Sequence, residues 1–249
     1  MLPEGVSQAA AAILVCASFF TSALTAAFGL GGGVALLVIM GYLLPVAALV
    51  PVHGVVQWAS NAGRMAVQRQ FVAWPAVIPF IFGSVAGALA GAPFVSEIDD
   101  PALKLALGVF IIAITWAKLP ALAKGGPAVM AAGGAGTTFL SMFFGATGPL
   151  TAAFFAKSFD DRRAYIASHA AAMTFQHALK VIAFVAAGFA FFEWLPLMAA
   201  MMATGYLGTL AGSRLLLAMP EKRFRLVFSI IITVLALDLV RRGLVGWLA

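Results

Sequence analysis

The stretch 26–34, AAFGLGGGV, places four glycines within five positions of an otherwise apolar N-terminal segment. Glycine has the most backbone freedom to lose in a helix, so this run predicts a break between two helices. Two classes of protein use such a break. A soluble dinucleotide-binding fold places the glycines after a strand, and a membrane transporter places them inside a discontinuous helix.

The composition of the chain separates these two classes. Hydrophobic residues make up 63% of its 249 positions and charged residues 10%, whereas soluble domains are about 45–50% apolar and about 25% charged. Apolar stretches of roughly 20 residues, the length that spans a bilayer, recur along the chain. We therefore expect an all-α polytopic membrane protein in the lipid bilayer, with a single transmembrane transporter domain over residues 1–249.

The remaining bulk properties exclude several functions. The net charge of +6 is interpreted as a topology signal, because Lys and Arg accumulate in cytoplasmic loops, and no nucleic-acid partner is predicted. A single cysteine excludes an internal disulfide. No strand precedes the glycine run, so it is not interpreted as a nucleotide loop. We predict no catalytic residue, no cofactor and no metal site.

Breaks at glycine, proline and charged residues divide the chain into ten apolar elements. The predicted elements are 8–28, 33–43, 46–68, 72–94 and 101–119 in the first half, and 128–144, 148–157, 163–189, 194–217 and 222–244 in the second half. The second element of each half is too short to cross about 30 Å of hydrocarbon at about 1.5 Å per residue. Each half is thus predicted to be a broken or re-entrant hairpin followed by three transmembrane helices.

The two halves resemble each other in sequence. A shift of 116 residues aligns FGLGGG at 28–33 with FGATGP at 144–149, and it also aligns His53 with His169 and Arg64 with Lys180. We therefore predict two repeats, over about 8–120 and about 127–249. Such internal repeats are the usual build of secondary transporters.

Loop charges predict that the repeats have inverted topology. Loop 64–71 carries two arginines, whereas its counterpart at 189–194 carries one glutamate. Loop 95–104 is mainly acidic, and its counterpart at 213–225 is mainly basic. By the positive-inside rule, equivalent loops would lie on opposite faces of the membrane, with both chain ends outside. The arginine pair at 241–242 opposes this orientation.

Polar residues form a matching stripe on the third helix of the first repeat and on its counterpart in the second. The first stripe comprises His53, Gln57, Ser60, Asn61 and Arg64, and the second comprises His169, Gln176, His177 and Lys180. Polar side chains in hydrocarbon are costly, so they face a bundle interior or a water-filled cavity and are candidates for function. Two other interpretations remain open: hydrogen bonding between helices, and snorkelling of the cations.

The two breaks are candidate anion sites. Each short helix would begin with free backbone amides, at Gly31, Gly32 and Gly33 in the first half and at Thr147 and Gly148 in the second. Inverted repeats would bring both helix ends toward one site near the bilayer centre. Neither polar stripe carries an acid, so the partner is predicted to be a small anion. Without a nucleotide motif, an ion gradient drives transport or the path is passive, and the histidines suit proton coupling.

The chain resembles the sulfite exporter TauE/SafE family, also described as DUF81-type permeases. The resemblance rests on FGLGGGVALLV at 28–38, FFGATGPLTAAF at 143–154 and RMAVQRQFVAW at 64–74. It implies a multi-pass carrier of the bacterial inner membrane that moves sulfur-containing anions such as sulfite, thiosulfate or organosulfonates, often outward. The family's glycine motifs map onto Gly29, Gly31, Gly32 and Gly33, and onto Gly145 and Gly148.

We predict from these features a secondary transporter, an exporter of a small sulfur-containing anion that works by alternating access with its site between the repeats. A passive anion channel is one alternative. An intramembrane enzyme is another, but Ser168 and His169 are adjacent and point to different faces of a helix, so they form a poor catalytic pair. A homodimer is compatible with the sequence.

Overall fold

The computed structural model describes residues 2–3, 5–28, 31–94, 100–117, 126–155, 159, 161–214 and 221–248. Several charges used to predict the membrane orientation lie outside the described residues: the acids of 95–99, the lysines of 118–125 and the side chains of 221–225. Gly29, in the first glycine run, lies outside them as well.

The described residues form ten α-helices and two single turns of 3₁₀ helix, without a strand. The helices are α1 Gln8–Phe28, α2 Gly32–Leu43, α3 Val46–Val67, α4 Trp74–Gly91, α5 Asp100–Trp116, α6 Pro127–Phe144, α7 Gly148–Phe155, α8 Arg162–Ala186, α9 Phe191–Arg214 and α10 Glu221–Leu248. Each begins and ends within four residues of its predicted bounds. The prediction of an all-α protein is confirmed.

Four of the described helices are long and apolar enough to cross a membrane. These segments are Gln8–Ala26, Trp74–Phe94, Pro127–Phe144 and Phe191–Gly212, which belong to α1, α4, α6 and α9. The long helices α3, α8 and α10 are more polar than these four. The polar stripes lie on α3 and α8, and α10 carries charged residues near both of its ends. The two helices that carry the polar stripes are therefore not among the four apolar spans.

A glycine with positive φ stands at each break. Gly31 (φ 103°) directly precedes α2, and Gly145 (φ 69°) directly follows α6. Side chains with a Cβ rarely adopt this region, so glycine is required where the chain turns between two helices. The helices that follow have 12 and 8 residues, too few to span the hydrocarbon core.

The chain forms two compact units, each of which takes helices from both predicted repeats. Unit 1 comprises Met1–Val50, Glu97–Lys118 and Glu193–Ala249, and unit 2 comprises Pro51–Ser96 and Leu119–Phe192. Unit 1 therefore contains α1, α2, α5, α9 and α10, with the first turn of α3. Unit 2 contains the rest of α3 together with α4, α6, α7 and α8.

In unit 2, α4 and α6 pack with their backbones in close contact. A Cβ added at Gly83 or Gly87 would overlap the carbonyl oxygen of Ala131 or Ala135. Next to this contact, α4, α7 and α8 share a core that contains Phe80 of α4. Small residues let the backbones of two membrane helices approach closely. Such close packing is needed because lipid is as apolar as the helix surfaces and supplies no hydrophobic force between them.

In unit 1, α1 and α9 pack in the same manner. A Cβ at Gly208 would overlap the carbonyl oxygen of Phe19. Two hydroxyls bind across the same pair of helices. Ser18 Oγ donates to the carbonyl of Met201 at 2.6 Å, and Thr204 Oγ1 donates to the carbonyl of Val15 at 2.9 Å.

The two contacts involve residues that the predicted repeats align. Ala135 of α6 follows Phe19 of α1 by the 116 residues of the predicted shift, and Gly208 of α9 follows Gly87 of α4 by 121 residues. One unit pairs α6 with α4, and the other pairs α1 with α9.

The arginine pair near the C-terminus shares one carboxylate. Arg241 and Arg242 both bind Asp238, at 2.7 and 2.8 Å, and the Arg242 guanidinium lies 4.7 Å from the centre of the Tyr42 ring. The cluster still opposes the predicted orientation, because the positive-inside rule counts Lys and Arg rather than net charge.

The glycine contact of unit 2 predicts a difference between two alanine substitutions. Gly87→Ala forces α4 away from α6 because the new methyl group meets backbone atoms, and we expect it to destabilise the protein by about 1–3 kcal/mol. Gly136→Ala meets no atom within 4 Å, so it stabilises α6 by roughly 0.5–1 kcal/mol. Thermal unfolding of both variants in detergent measures the difference, and equal melting temperatures would contradict the packing argument.

Candidate functional site

Ten of the thirteen predicted site residues lie in unit 2. They are His53, Gln57, Asn61 and Arg64 on α3, Thr147 in the break, Gly148 at the start of α7, and His169, Gln176, His177 and Lys180 on α8. The other three, Gly31, Gly32 and Gly33, lie in unit 1 at the start of α2.

The polar stripe of α8 lies along the break between α6 and α7. Lys180 Nζ donates to the carbonyl of Gly145 at 2.8 Å, and Gln176 Nε2 donates to Thr147 Oγ1 at 3.2 Å. His169 Nε2 lies 3.1 Å from the carbonyl oxygen of Gly148. These side chains share one face of α8 because they are separated by about one and two helical turns. The stripe therefore contacts the break at three of its four residues.

Gln176 also connects the break to the helix that follows it. Thr151 Oγ1 donates to Gln176 Oε1 at 3.5 Å, while the amide nitrogen of Gln176 binds Thr147. All three side chains are completely buried. The side-chain amide thus holds the break and the first turn of α7 in a common arrangement.

Lys180 is a fully buried lysine whose described surroundings in unit 2 hold no carboxylate. Its stem packs on Gly54 of α3, where an added Cβ would lie 3.3 Å from Lys180 Cδ. Among the described residues of unit 2 the single acid is Asp161, whose side chain caps α8 at the exposed Arg163 amide. The Gly145 carbonyl lies at the negative end of α6, which offsets part of the desolvation cost of the ammonium.

The stripe of α3 places Arg64 through its neighbour Asn61. Asn61 Nδ2 donates to the carbonyl of Gln57 at 2.7 Å, and Arg64 Nη2 donates to Asn61 Oδ1 at 2.6 Å. Within the part of the chain that the structure describes, the buried Arg64 Nε has no partner. Asn61 therefore positions the guanidinium, and one donor of that guanidinium remains available.

Two histidines, one from each predicted repeat, meet inside unit 2. The rings of His53 on α3 and His177 on α8 lie 6.2 Å apart at an angle of 71°, and each residue is 1% exposed. His177 Nδ1 has no partner among the described residues. The two polar stripes, predicted separately from helical spacing, are thus brought together by the packing of α3 and α8.

Two features of this site were not predicted from the sequence. Backbone amides were expected at the break, whereas Lys180 and His169 contact carbonyl oxygens there. Thr138 and Ser141 of α6, whose buried hydroxyls have no partner in the described ranges, were not among the predicted binding residues. The run TTFLS at 137–141 shows hydroxyl residues close to the break, but helical spacing alone does not identify which hydroxyl has a partner.

The glycines of the two breaks differ in their surroundings. A Cβ at Gly32 would overlap the carbonyl oxygen of Thr21, so α2 begins close to α1 only because this residue is glycine. A Cβ at Gly148 would meet only Met173 Cε, at 3.9 Å. Close packing therefore accounts for Gly32, whereas it does not require a glycine at 148.

Comparison with known proteins gives one match. The sulfite exporter TauE/SafE family model matches residues 14–239, which include both breaks and both polar stripes. Searches of curated proteins and of solved structures gave no significant match. The family resemblance of the glycine-bearing motifs is confirmed, and this chain belongs to the sulfite exporter TauE/SafE family of membrane transporters.

Proposed function

We propose that this protein is a secondary transporter that exports a small sulfur-containing anion, such as sulfite, thiosulfate or an organosulfonate, across the bacterial inner membrane. The observation that carries the proposal is the complete burial of Lys180 without a carboxylate among the described residues of unit 2. A buried ammonium is stable only when other groups compensate its charge. One carbonyl supplies part of this compensation, and a bound anion supplies the rest.

Other hydrogen-bond donors near the stripes also favour an anion as the substrate. Arg64 Nε and His177 Nδ1 are buried without partners in the described part of the chain. The amides of Gly148 and Leu150 belong to the first turn of α7, where helix geometry provides no internal acceptor. Ionised donors form strong hydrogen bonds to the oxygen atoms of oxyanions. A carrier of cations would need acceptors at these positions instead.

We propose alternating access between two inverted repeats as the mechanism. The matching contacts of Gly87 with Ala135 and of Gly208 with Phe19 support the duplication. The cations Arg64 and Lys180 come from different repeats, so a site that uses both changes when the repeats move relative to each other. Two other parts of the sequence analysis stay predictions. One is that the amides of Gly31, Gly32 and Gly33 in unit 1 bind the anion, and the other is that the protein forms a homodimer.

We further propose that this transport is coupled to protons and that the His53–His177 pair binds them. The charged and titratable groups that act on His177 are Lys180, His53, Arg64 and His169. A bound anion offsets the positive field of these groups, so the anion and a proton on His177 favour each other's binding. Linkage requires the effect to be reciprocal, and the anion therefore binds more tightly as the pH falls.

Lys180→Met tests the anion site. The methionine side chain has a similar length and no charge, so we expect a fold at least as stable as wild type without anion, and loss of the stabilisation that sulfite, thiosulfate or taurine provides. Thermal shift on purified protein and flux of radiolabelled sulfite into proteoliposomes measure both effects. Arg69→Met, at an exposed cation of the same unit, serves as the control. Unchanged sulfite binding by Lys180→Met would rule out this site.

His177→Gln tests the proton coupling. Calorimetry of sulfite binding in buffers of different ionisation enthalpy counts the protons taken up. We expect the wild type to take up more protons on binding than the variant, and its affinity to depend more steeply on pH. If His177→Gln takes up as many protons as the wild type, another group carries the coupling.

The structure gives Ser168 a role other than that of a catalytic nucleophile. Its hydroxyl oxygen accepts a hydrogen bond from the amide of Ala73 at 2.9 Å, and thereby caps the start of α4. We expect Ser168→Ala to lower stability by about 1 kcal/mol and to leave sulfite flux unchanged in proteoliposomes. Product formation that Ser168→Ala abolishes would favour an enzyme, and flux without saturation or counterflow would favour a channel.

A further inference from the structure

Thr138 and Ser141 depart from the usual behaviour of hydroxyl residues in apolar helices. Such residues normally donate to the carbonyl four positions earlier, and in this chain Thr137, Thr174 and Ser84 do so at 2.7, 2.7 and 2.8 Å. Thr138 and Ser141 are both completely buried, and neither hydroxyl has a partner among the described residues. A buried hydroxyl without a partner is costly and calls for a specific explanation.

The two hydroxyl residues lie on the part of α6 that leads to the break. They are three positions apart and therefore share a face of the helix. Ser141 is one turn before Gly145: the amide of Gly145 donates to the carbonyl of Ser141 at 3.1 Å, and the carbonyl of Gly145 accepts from Lys180. The hydroxyl pair is thus followed along α6 by the carbonyl that holds the buried ammonium.

Packing between α6 and α8 supports the closeness of these groups. Met142, the neighbour of Ser141, packs with Ala183 of α8, and Leu179 borders the same cluster. Leu179 and Ala183 flank Lys180 in the sequence. The end of α6 that carries the hydroxyls is therefore in contact with the turn of α8 that carries the cation.

We propose that Thr138 and Ser141 are substrate-binding residues whose hydroxyls donate hydrogen bonds to oxygen atoms of the anion that Lys180 balances. This inference rests on the proposed function and deepens it by assigning selectivity. A sulfite or sulfonate group presents three oxygen atoms, enough for the ammonium and both hydroxyls. A carboxylate presents only two oxygen atoms in one plane, so two of the three donors would have to share an oxygen atom, and a site shaped for three separate oxygen atoms would bind it less well.

The hydroxyl pair has matched controls in α6 itself and in α4, which packs against it. Thr138→Val and Ser141→Ala each remove an unpartnered hydroxyl. Thr137→Val and Ser84→Ala each remove a hydroxyl that bonds only to its own helix. Thr138→Ser keeps a hydroxyl at 138 and therefore serves as a rescue variant if Thr138→Val affects folding.

The test is the dissociation constant of sulfite, taurine and acetate for the purified full-length chain. We expect Thr138→Val and Ser141→Ala each to weaken sulfite and taurine roughly tenfold, the effect of one lost hydrogen bond. Acetate affinity would change less, so selectivity for sulfur oxyanions would fall. Thr137→Val, Ser84→Ala and Thr138→Ser would keep the wild-type affinities.

The failure of this inference can be distinguished from the failure of the proposed function. If the wild-type protein binds neither sulfite nor taurine, the proposed function fails. If it binds them and Lys180→Met abolishes binding, but the hydroxyl variants retain wild-type affinity and selectivity, this inference alone is overturned. A loss in only one hydroxyl variant would remove the other residue from the site.

Discussion

The hydrogen bond from Lys180 to the carbonyl of Gly145 is the contact on which the arrangement of unit 2 depends. It requires α6 to end at Gly145, a residue with positive φ, so that the carbonyl of Gly145 accepts from the Lys180 side chain rather than from the amide of a further helical turn. It also requires α8 to carry Lys180 about three helical turns from the buried His169, on the same face of the helix. The Gly145 carbonyl then offsets part of the free energy that it costs to bury the lysine side chain away from water.

Close helix packing makes this polar centre compatible with a membrane protein. At Gly87 the backbone of α4 meets that of α6, and at Gly208 the backbone of α9 meets that of α1. These contacts bring the helices together through close backbone packing, and at the contact of α1 with α9 the hydroxyls of Ser18 and Thr204 add hydrogen bonds. The polar side chains of α3 and α8 are therefore available for contacts with the break and with each other. The close backbone contacts are thus made by α1, α4, α6 and α9, whereas the polar stripes of the candidate site lie on α3 and α8.

The candidate site was predictable in part. Helical spacing placed His53 and Arg64 on one stripe and His169, Gln176 and Lys180 on the other, and both stripes contribute to unit 2. The partners of these residues were not predictable, because a repeat of about 3.6 residues identifies a face but not the element opposite. The carbonyls at the break were overlooked for this reason. So were Thr138 and Ser141, which have the same local sequence as hydroxyl residues that bond to their own helix.

The sequence by itself determined the membrane class, the bounds of the ten described helices and the place of the two breaks, because composition, glycine positions and hydrophobic length act locally along the chain. Only the tertiary structure decided that Lys180 binds Gly145, that Gln176 joins Thr147 to Thr151, and that His53 meets His177. These pairs join residues 25 to 124 positions apart in the chain. Contacts over such separations depend on how whole helices pack, which no local pattern specifies.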